Sequence, residues 1–531
     1  MQTDVLIVGA GPTGLMLANQ LARRGVRPMI VDRHSGPAQQ SRAMAVQART
    51  LEIYSKMGII DQALDRGFQG TGANMWTNGT WAARIPVGEI GKSMSPFPFV
   101  LMLGQDDNER IMGAKLREYG VDIQWSTELV SLEQKPEGVD ATLKQPDGST
   151  LIVRASWVGG CDGSRSVVRE LNGITFPGAP YEHVFFVADT EATGPMKPGE
   201  LNIYMWQEGF HLFFPMKGKD RWRVIGILPK PLREREDLRF EDLVSDIRRE
   251  AGAELSFPEC SWFSTYRIFH RCADRFRDRR CFLLGDAAHI HSPAGGQGMN
   301  TGLQDAYNLG WKLALVVKGQ ANAALLDSYE AERLPVAQRL LQTTDRAFRL
   351  IVSDSWLAGL FRTRILARIA ARAMTIERIR KLAFRTIAQI GIQYRASPLS
   401  QMLAPLPQDA PLAGDRFPWV QLKFEAKGPV EDLFRKLDDT RFNLLVIGQP
   451  VADVDARYGE LVRSYQVPDD PANTKELARV GITGPAFYLL RPDGHVGLAG
   501  TRLEQGAVGR YASSALGLTA FGAQHHMERS R

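Results

Sequence analysis

The sequence predicts an α/β protein, built from a Rossmann-like domain with an inserted antiparallel sheet and a second α/β unit at the C-terminus. At the N-terminus, a short apolar run, a glycine-rich turn and a helical pattern follow one another. From about residue 181 to residue 262 the sequence shows a two-residue alternation that is rich in aromatic residues, which is typical of antiparallel strands. Near the C-terminus, an Asp493-Gly494 turn joins two apolar runs.

Length and composition place the chain among ordinary globular proteins. With 531 residues it is too long for one compact core, and about three units are expected. Hydrophobic residues make up 44% and charged residues 23%, which excludes a disordered or collagen-like chain. The net charge of +6 is small for this size and does not indicate nucleic acid binding. The four cysteines form no CxxC pair and have no histidine at metal-ligand spacing, so neither a disulfide framework nor a zinc site is predicted.

No targeting segment is visible at the N-terminus. The apolar run of residues 5–8 stops at Gly9 and no basic region precedes it, so it does not match a signal peptide. No stretch reaches the ~20 apolar residues that cross a bilayer. We therefore expect a soluble, cytoplasmic protein that binds a small molecule and has neither nucleic acid nor membrane as a partner. The oligomeric state stays open, with a homodimer as one alternative.

The first element is a βαβ unit. Residues 4–8 are predicted to form a buried strand, the following helix turns Leu15, Ala18 and Ala22 inward, and Gly25 ends it. A second strand over residues 26–31 ends at Asp32. Because such crossovers are right-handed, the two strands are expected to be parallel neighbours.

The turn of this unit carries the first motif, Gly9-Ala-Gly11-Pro12-Thr13-Gly14. Gly9 permits a tight turn, Gly11 lets a pyrophosphate approach the backbone, and Gly14 lets the helix and strand pack closely. The phosphates would lie at a helix N-terminus, and Asp32 would accept hydrogen bonds from a ribose. The combination predicts dinucleotide binding but does not separate NAD from FAD.

Two later segments make that distinction. Gly160-Cys161-Asp162-Gly163-Ser-Arg165 forms the second motif, and Cys281-Phe-Leu-Leu-Gly285-Asp286-Ala-Ala-His289, continued by residues 293–302, forms the third. Together with the N-terminal glycines, they resemble the p-hydroxybenzoate hydroxylase-like FAD monooxygenases, which are flavoprotein aromatic hydroxylases. The resemblance covers about residues 1–400.

The resemblance implies FAD as the cofactor. In the third motif, Asp286 ends a strand and can receive the ribityl hydroxyls, and a helix from about Asn300 points its N-terminus at the flavin ring. The sequence departs from the family at Asp32, where glutamate is more common, and Arg165 or Arg169 could instead be surface arginines in ion pairs. The predicted FAD-binding residues are Gly9, Gly11, Pro12, Thr13, Gly14, Asp32, Arg33, Arg42, Gln105, Val130, Asp162, Gly163, Arg165, Gly285, Asp286, Pro293, Gly296, Gly298, Met299 and Asn300.

The resemblance also implies a reaction. NADH or NADPH would reduce FAD, and the reduced flavin would capture O2 as a C4a-hydroperoxide that hydroxylates a phenolic or polycyclic aromatic substrate. No arginine is evident for fixing a carboxylate, so a phenol is preferred to a benzoate. Two alternatives stay open: an FAD-dependent reductase or dehydrogenase acting on a non-aromatic substrate, and a non-catalytic binding module.

Candidate catalytic residues are His289, His291 and Pro293 in the third motif (residues 281–302, the flavin segment), and Tyr204, Trp206, His211 and Phe213 on the inserted sheet. Strand alternation places Tyr204 with Trp206 on one face and His211 with Phe213 on one face, without showing which face meets the flavin. Each of these histidines and aromatic residues taken alone is more often part of a packed core than catalytic.

The chain is divided as follows. The FAD-binding domain is predicted at residues 1–180, with a substrate-domain excursion near 75–100, and again at residues 271–340. A substrate-binding antiparallel sheet spans residues 181–270 and a helical segment spans 341–400. Residues 401–531, after a proline-rich linker, resemble the thioredoxin-like domain of phenol hydroxylase-type members. No cysteine follows Cys281, so this domain is interpreted as a scaffold or interface without dithiol chemistry.

The helical segment is rich in arginine. Between residues 336 and 390 there are ten Arg and one Lys against three acidic residues, and a break is expected near Pro335. Ile365, Leu366, Ile369 and Ala370, followed by Ile376, Ile379 and Leu382, form an apolar stripe at helical spacing. We expect this stripe to pack on the protein itself, with the arginines solvated outside, in preference to a membrane-surface or partner-binding helix.

Overall fold

The structure is a computed structural model. It describes residues 1–38, 43–207, 209–235, 237–291, 296–352, 355–366, 369, 372–373, 376–425, 427–451 and 458–519. Strands in these ranges are β1 (Gln2–Val8), β2 (Met29–Val31), β3 (Ala45–Val46), β4 (Phe68–Gly70), β5 (Ala73–Thr77), β6 (Thr80–Ile85), β7 (Val100–Met102), β8 (Ile123–Gln124), β9 (Glu128–Gln134), β10 (Val139–Lys144), β11 (Thr150–Gly160), β12 (Gly178–Glu191), β13 (Leu201–Trp206), β14 (Gly209–Pro215), β15 (Arg221–Ile227), β16 (Cys260–Cys272), β17 (Arg277–Asp278), β18 (Cys281–Leu283), β19 (His289–Ile290), β20 (Gln401–Met402), β21 (Gln421–Leu422), β22 (Glu431–Asp432), β23 (Phe442–Ile447), β24 (Val462–Val467), β25 (Ala486–Leu490) and β26 (Val496–Gly500).

The helices are α1 (Pro12–Ala22), α2 (Ala48–Met57), α3 (Ile60–Arg66), α4 (Val87–Gly91), α5 (Gln105–Glu118), α6 (Val167–Leu171), α7 (Glu241–Ala251), α8 (Gly298–Val317), α9 (Asp327–Val352), α10 (Trp356–Leu360), α11 (Glu377–Ile387), α12 (Leu433–Lys436), α13 (Pro471–Arg479) and α14 (Ala507–Ser514). Short 3₁₀ helices lie at Lys230–Leu232, Gly285–Ala287 and Ala323–Leu326, and a π-helical turn lies at Phe361–Leu366. Within the described ranges, no helix combines the length and the apolar character needed to cross a bilayer.

The first sheet has the order β17-β18-β11-β1-β2-β8, with β10 and β9 attached to β11. Strand β1 pairs in parallel with both β2 and β11, and β11 pairs in parallel with β18. The predicted parallel neighbours of the βαβ unit are therefore confirmed. The second strand is shorter than predicted, because only residues 29–31 pair with β1. The three sequence motifs follow β1, β11 and β18. Because these strands lie side by side in the sheet, the three motifs are neighbours at one edge of it.

The second sheet has the order β19-β16-β12-β15-β14-β13-β5-β6. Its pairs are antiparallel except for β13 with β5, which run in parallel. Strands β5 and β6 come from residues 73–85 and extend the sheet beyond the predicted core of residues 181–270. Helix α7 covers one face through an apolar cluster that includes Leu243 and Ile247.

The C-terminal region contains a sheet of order β20-β26-β25-β23-β24. Strands β23 and β24 are parallel, whereas β25 pairs antiparallel with both β23 and β26. Asp493-Gly494 lies in the turn between β25 and β26, as predicted. The thioredoxin-like interpretation of this region stays a prediction, as do the domain limits.

Two expectations about the helical segment are wrong. Helix α9 continues through Pro335 without a break, because the buried residues Glu332 and Arg333 fix this part of the helix in ion pairs. Most of the apolar stripe is exposed, since Ile369 retains 52% and Leu382 66% of its accessible surface, and only Leu366 among its described members packs against an apolar cluster. Helix α11 instead buries Phe384, which packs against Gly91 of α4. Ala370 of the stripe lies outside the described residues.

Candidate active site

The first motif folds into a tight turn whose glycines have distinct surroundings. Gly9 has φ +102°, and a Cβ there would lie 2.3 Å from the carbonyl oxygen of Cys161. A Cβ on Gly14 would lie 1.9 Å from the carbonyl oxygen of Gly9. Beside Gly11, in contrast, no atom lies within 4 Å of the position a Cβ would take. The turn is thus closely packed on two sides and leaves free space at Gly11, where Pro12 begins α1.

Asp32 ties the end of β2 to this turn. Its Oδ2 accepts a hydrogen bond of 2.7 Å from the backbone N–H of Ala10, and its Oδ1 accepts one of 2.8 Å from the N–H of His34. The His34 ring nitrogen Nδ1 lies 2.8 Å from the same Oδ1. Arg33 is exposed. The carboxylate is therefore held at the edge of the sheet where a ribose is predicted.

The second motif presents a buried acceptor. Asp162 Oδ2 accepts the N–H of Val168 at 3.1 Å, whereas its buried Oδ1 has no partner among the described residues. Burial raises the pKa of this carboxyl. Gly163 follows with φ +77° and open space beside it, and Arg165 is exposed. An unsatisfied buried oxygen is a polar group that a ligand donor would satisfy.

Arg169, which sequence reasoning left undecided, joins the second motif to the third. It is buried, and its Nη1 donates to the carbonyl oxygen of Ala287 at 2.9 Å while its Nη2 donates to that of Ser164, also at 2.9 Å. Its guanidinium lies 3.9 Å from the ring centroid of Phe176. The surface-arginine alternative is therefore wrong for Arg169.

The third motif packs directly on the first. Gly285 has φ +60°, and a Cβ there would lie 2.6 Å from Thr13 Oγ1. Gly302, in the first part of α8, approaches the same hydroxyl, with 2.5 Å between its Cβ position and Thr13 Oγ1. Asp286 lies exposed on the loop between these contacts. Segments more than 100 residues apart in the sequence thus meet around one turn.

The start of α8 is locked to the segment before α2. Asn300 Oδ1 accepts from the N–H of Gln47 at 2.9 Å and from Thr50 Oγ1 at 2.8 Å, and its Nδ2 donates to the carbonyl oxygens of Ala45 and Gly296, both at 2.8 Å. The side chain therefore uses its full hydrogen-bonding capacity inside the protein. We infer that Asn300 shapes the site by holding these segments.

The remaining predicted FAD residues lie around this core of the site. Gly296 has φ +62° and precedes α8, which begins at Gly298, and Asn108 Nδ2 donates to Met299 Sδ at 3.4 Å. Gln105 begins α5 and donates to Glu109 Oε1 at 2.9 Å. Val130 lies on β9 with 43% of its surface exposed. Arg42 and Pro293 lie outside the described residues.

The histidines beside the flavin segment are packed into the domain. His289 is buried, its Nε2 lies 2.8 Å from Asp305 Oδ2, and its ring stacks on Phe276 with a centroid distance of 5.8 Å. His291 lies 6.0 Å from His289, ring to ring, and beside Gly298. The structure thus gives His289 a pairing with Asp305 that the sequence did not reveal.

Three of the candidates on the inserted sheet lie under α7. In the register, Tyr204 is opposite His211, so Tyr204, His211 and Phe213 share one face, whereas Trp206 packs against the apolar cluster of the opposite face. Tyr204 stacks on Trp76 at 5.3 Å, and Tyr204 and Phe213 belong to the cluster that α7 covers. His211 Nε2 lies 3.0 Å from Glu250 Oε2 on α7. Trp206 stacks on His211 at 4.2 Å near the end of the strand.

The opposite face of the sheet, which we call the substrate face, carries residues that sequence reasoning missed. Strand alternation could have identified them once the position of α7 was known. They form an apolar cluster with Tyr266 packed against it, and Leu366 of the π-helical turn contacts them from above. The buried members are Met75, Ala83, Tyr181, Phe185, Met205, Phe210, Ile227 and Ile268.

The described residues fit FAD on three observations. The free space beside Gly11 suits a pyrophosphate at the N-terminus of α1. The unsatisfied Asp162 Oδ1 is buried next to the first motif. Asp286 projects from a loop that packs on Thr13. When bound, FAD supplies the redox and oxygen chemistry, and the protein supplies its orientation.

The chain is similar to a known family and to several named enzymes. The family model for the FAD binding domain matches residues 2–344. A 6-methylpretetramide 4-monooxygenase from Streptomyces rimosus is 33% identical, over 94% of this chain and 91% of its own. A pentachlorophenol 4-monooxygenase from Sphingobium chlorophenolicum is 35% identical over 66% of this chain and 65% of its own.

A solved structure is similar over nearly the whole length. OxyS anhydrotetracycline hydroxylase from Streptomyces rimosus has a TM-score of 0.77 and 29% identity, covering 98% of this chain and 100% of its own. The convergence of the three motifs and these matches lead to the same assignment. The chain belongs to the FAD binding domain family, as a p-hydroxybenzoate hydroxylase-like, FAD-dependent aromatic monooxygenase that uses NAD(P)H and O2.

Proposed function

We propose that this monooxygenase hydroxylates a polycyclic phenol bound against the substrate face. The observation that carries the proposal is the row of rings on that face. Phe185 lies 6.5 Å from Phe210 and 6.1 Å from Tyr266, measured between ring centroids. Phe185 and Phe210 are buried in the described structure, so they would form the wall of the site only after a substrate displaces the residues that cover them, and a planar multi-ring substrate would gain more contact there than a single ring.

The substrate face is connected to the flavin segment by the sheet itself. Strand β16, which carries Tyr266, pairs with β19 through Cys272 and His289. A substrate on this face would therefore lie beside the loop that carries Asp286. Two relatives that match nearly the whole chain act, by their names, on 6-methylpretetramide and anhydrotetracycline, which supports a polycyclic substrate here as well.

Two polar groups on this face handle the phenolic oxygen and its proton. Burial raises the pKa of Tyr266 to about 12, so its hydroxyl stays protonated at neutral pH and donates to a substrate oxygen. His270 lies on the same face, 5.1 Å from Tyr181 ring to ring, and no described residue engages its buried Nδ1. We assign His270 as the acceptor of the phenolic proton.

The location and assembly are also proposals. All four cysteines are free, which fits a reducing compartment, and we place the enzyme in the cytoplasm. The partner in this proposal is the small aromatic substrate, and a homodimer stays an untested alternative.

A matched pair of variants tests the substrate face. Phe185 and Phe213 are both fully buried, but they lie on opposite faces of the sheet. We expect Phe185→Leu to raise KM for a multi-ring phenol about tenfold, since a ring contact and apolar area are lost. Phe213→Leu should change stability by a similar amount and leave KM within about twofold.

The reaction itself is tested with a panel of one-ring to four-ring phenols. NADH or NADPH oxidation that a multi-ring phenol stimulates, with ¹⁸O from labelled O2 in the product, supports the proposal. Preference for one-ring phenols would contradict the substrate class. Oxygen-independent turnover would instead indicate a reductase or dehydrogenase and contradict the reaction.

A further inference from the structure

The flavin loop (residues 285–289) is held at both ends by one buried carboxylate. Asp305 of α8 accepts the backbone N–H of Gly285 at 3.0 Å, and the same oxygen, Oδ2, lies 2.8 Å from Nε2 of His289. Asp305 has no exposed surface. Because Asp286 lies between these two anchors, the geometry of its side chain depends on where Asp305 is held.

Arg333 of α9 holds Asp305 in turn. Its Nε donates to Asp305 Oδ1 at 2.6 Å, its Nη2 to the carbonyl oxygen of Thr301 at 3.2 Å, and its Nη1 to the hydroxyl of Tyr394 at 2.8 Å. Burial opposes ionisation of Asp305, but Arg333 and His289 outweigh that effect and lower the pKa of the carboxyl. Asp305 is therefore a carboxylate at neutral pH and accepts at both ends of the flavin loop.

The neighbouring residue, Glu332, connects α9 to the C-terminal region. Arg491 donates to it through Nη1 at 2.5 Å and Nη2 at 2.9 Å, and Lys312 of α8 lies 2.7 Å away. Arg491 also pairs with Asp493. All these side chains are buried. The turn of residues 491–495, which we call the C-terminal turn, is thus joined to both long helices by ion pairs shielded from solvent.

A second contact completes the path of side-chain contacts from the C-terminal turn to the flavin loop. His495 of the C-terminal turn packs on Tyr394 with 4.3 Å between ring centroids, and the Arg491 guanidinium lies 5.4 Å from the same ring. Tyr394 accepts from Arg333, so the turn reaches the flavin loop through Arg333 and Asp305. Buried ion pairs add little net stability, because desolvation offsets their attraction, but they demand one geometry.

We propose that the C-terminal turn is a positioning element for FAD: through Glu332, Arg333 and Asp305 it fixes the flavin loop in the conformation that binds the cofactor. This role gives the C-terminal region a function without redox cysteines. The path concerns FAD binding and is independent of the substrate proposed above. A loop ordered before binding costs less conformational entropy when the ligand binds.

Point variants in the full chain test the proposal. Tyr394→Phe removes one hydroxyl and keeps the ring, so it should fold. Arg491→Met removes the charge at the origin of the path. Arg395→Met is the control, because Arg395 follows Tyr394 in the sequence but forms a half-exposed ion pair with Asp415. The dissociation constant of FAD is measured by titrating apoprotein, well below the unfolding transition, and the visible circular dichroism of bound flavin reports its orientation.

We expect Tyr394→Phe to raise the dissociation constant about threefold or more and Arg491→Met roughly tenfold or more, with altered visible circular dichroism. Arg395→Met should match the wild type. A merely structural role would lower the unfolding temperature and leave both readouts unchanged in the folded protein. If Arg491→Met does not fold, Tyr394→Phe decides: wild-type affinity and wild-type circular dichroism overturn the proposal.

Discussion

Two glycines in the first motif should respond in opposite ways to the same substitution. Gly11 has φ −71° and ψ −176°, which alanine adopts without strain, and no atom lies within 4 Å of the new Cβ. Gly11→Ala should therefore leave apoprotein stability unchanged or raise it by about 0.4–1 kcal/mol through the unfolded state. The new methyl group occupies the space assigned to the pyrophosphate, so FAD should bind roughly tenfold more weakly or worse, a loss of about 1.4 kcal/mol or more.

Gly14→Ala should destabilise the apoprotein. The new Cβ would lie 1.9 Å from the carbonyl oxygen of Gly9, whereas real Cβ atoms keep at least 3.0 Å. Alanine gains about 1 kcal/mol of helix propensity over glycine. Moving the backbone by roughly 1 Å in a packed core costs about 1–3 kcal/mol, so a net loss of up to about 2 kcal/mol is expected.

Urea unfolding of the apoproteins and titration with FAD separate the two effects. The reasoning predicts Gly11→Ala to be stable and weak in binding, and Gly14→Ala to be unstable. Wild-type FAD affinity in Gly11→Ala would show that the free space beside Gly11 is not the pyrophosphate position. Wild-type stability in Gly14→Ala would show that the helix and strand are less tightly packed than the structure indicates.

Three further predictions concern charged and titratable groups. Asp286→Ala should raise the dissociation constant of FAD about tenfold or more, and an unchanged titration curve would contradict its role. Burial lowers the pKa of His211 in the folded protein, so as pH falls below about 6.5 the unfolded chain takes up this proton before the folded chain does, and stability is lost. His211→Gln should therefore reduce the slope of the free energy of unfolding against pH between pH 7 and 5. An unchanged slope would refute this reasoning. His270→Gln should lower kcat for a phenol, and a kcat identical to the wild type would exclude His270 as the proton acceptor.

Most of the fold could be predicted from hydrophobic periodicity and from the spacing of glycines in the sequence. The βαβ unit is predictable because Gly9 and Gly14 are needed for local packing, and the hairpin around Gly494 because its turn is short. The parallel pairing of β13 with β5 was not predictable, since strands more than 100 residues apart leave no local signal of their register. The helix through Pro335 was missed for the same reason, because distant ion pairs hold it.

The parts of the candidate site that consist of contiguous sequence motifs were predictable. The parts that depend on side chains from distant helices were not. The pattern around Gly285 identified the flavin loop, but Asp305 and Arg333 look like ordinary charged residues on helices until the helices are packed together. The face of the inserted sheet was ambiguous because both faces are apolar. Only the position of α7 separates Phe213 from Phe185.

The order in which the chain is synthesised matters for the nucleotide turn. Gly9 packs closely against Cys161, and Thr13 packs closely against Gly285 and Gly302, so the final packing of the turn forms only after residues near 302 have left the ribosome. Central strand β1 pairs with β11, and β11 in turn pairs with β18. A nascent chain of 150 residues would therefore expose apolar strand edges, and this stage is where chaperone assistance would matter most.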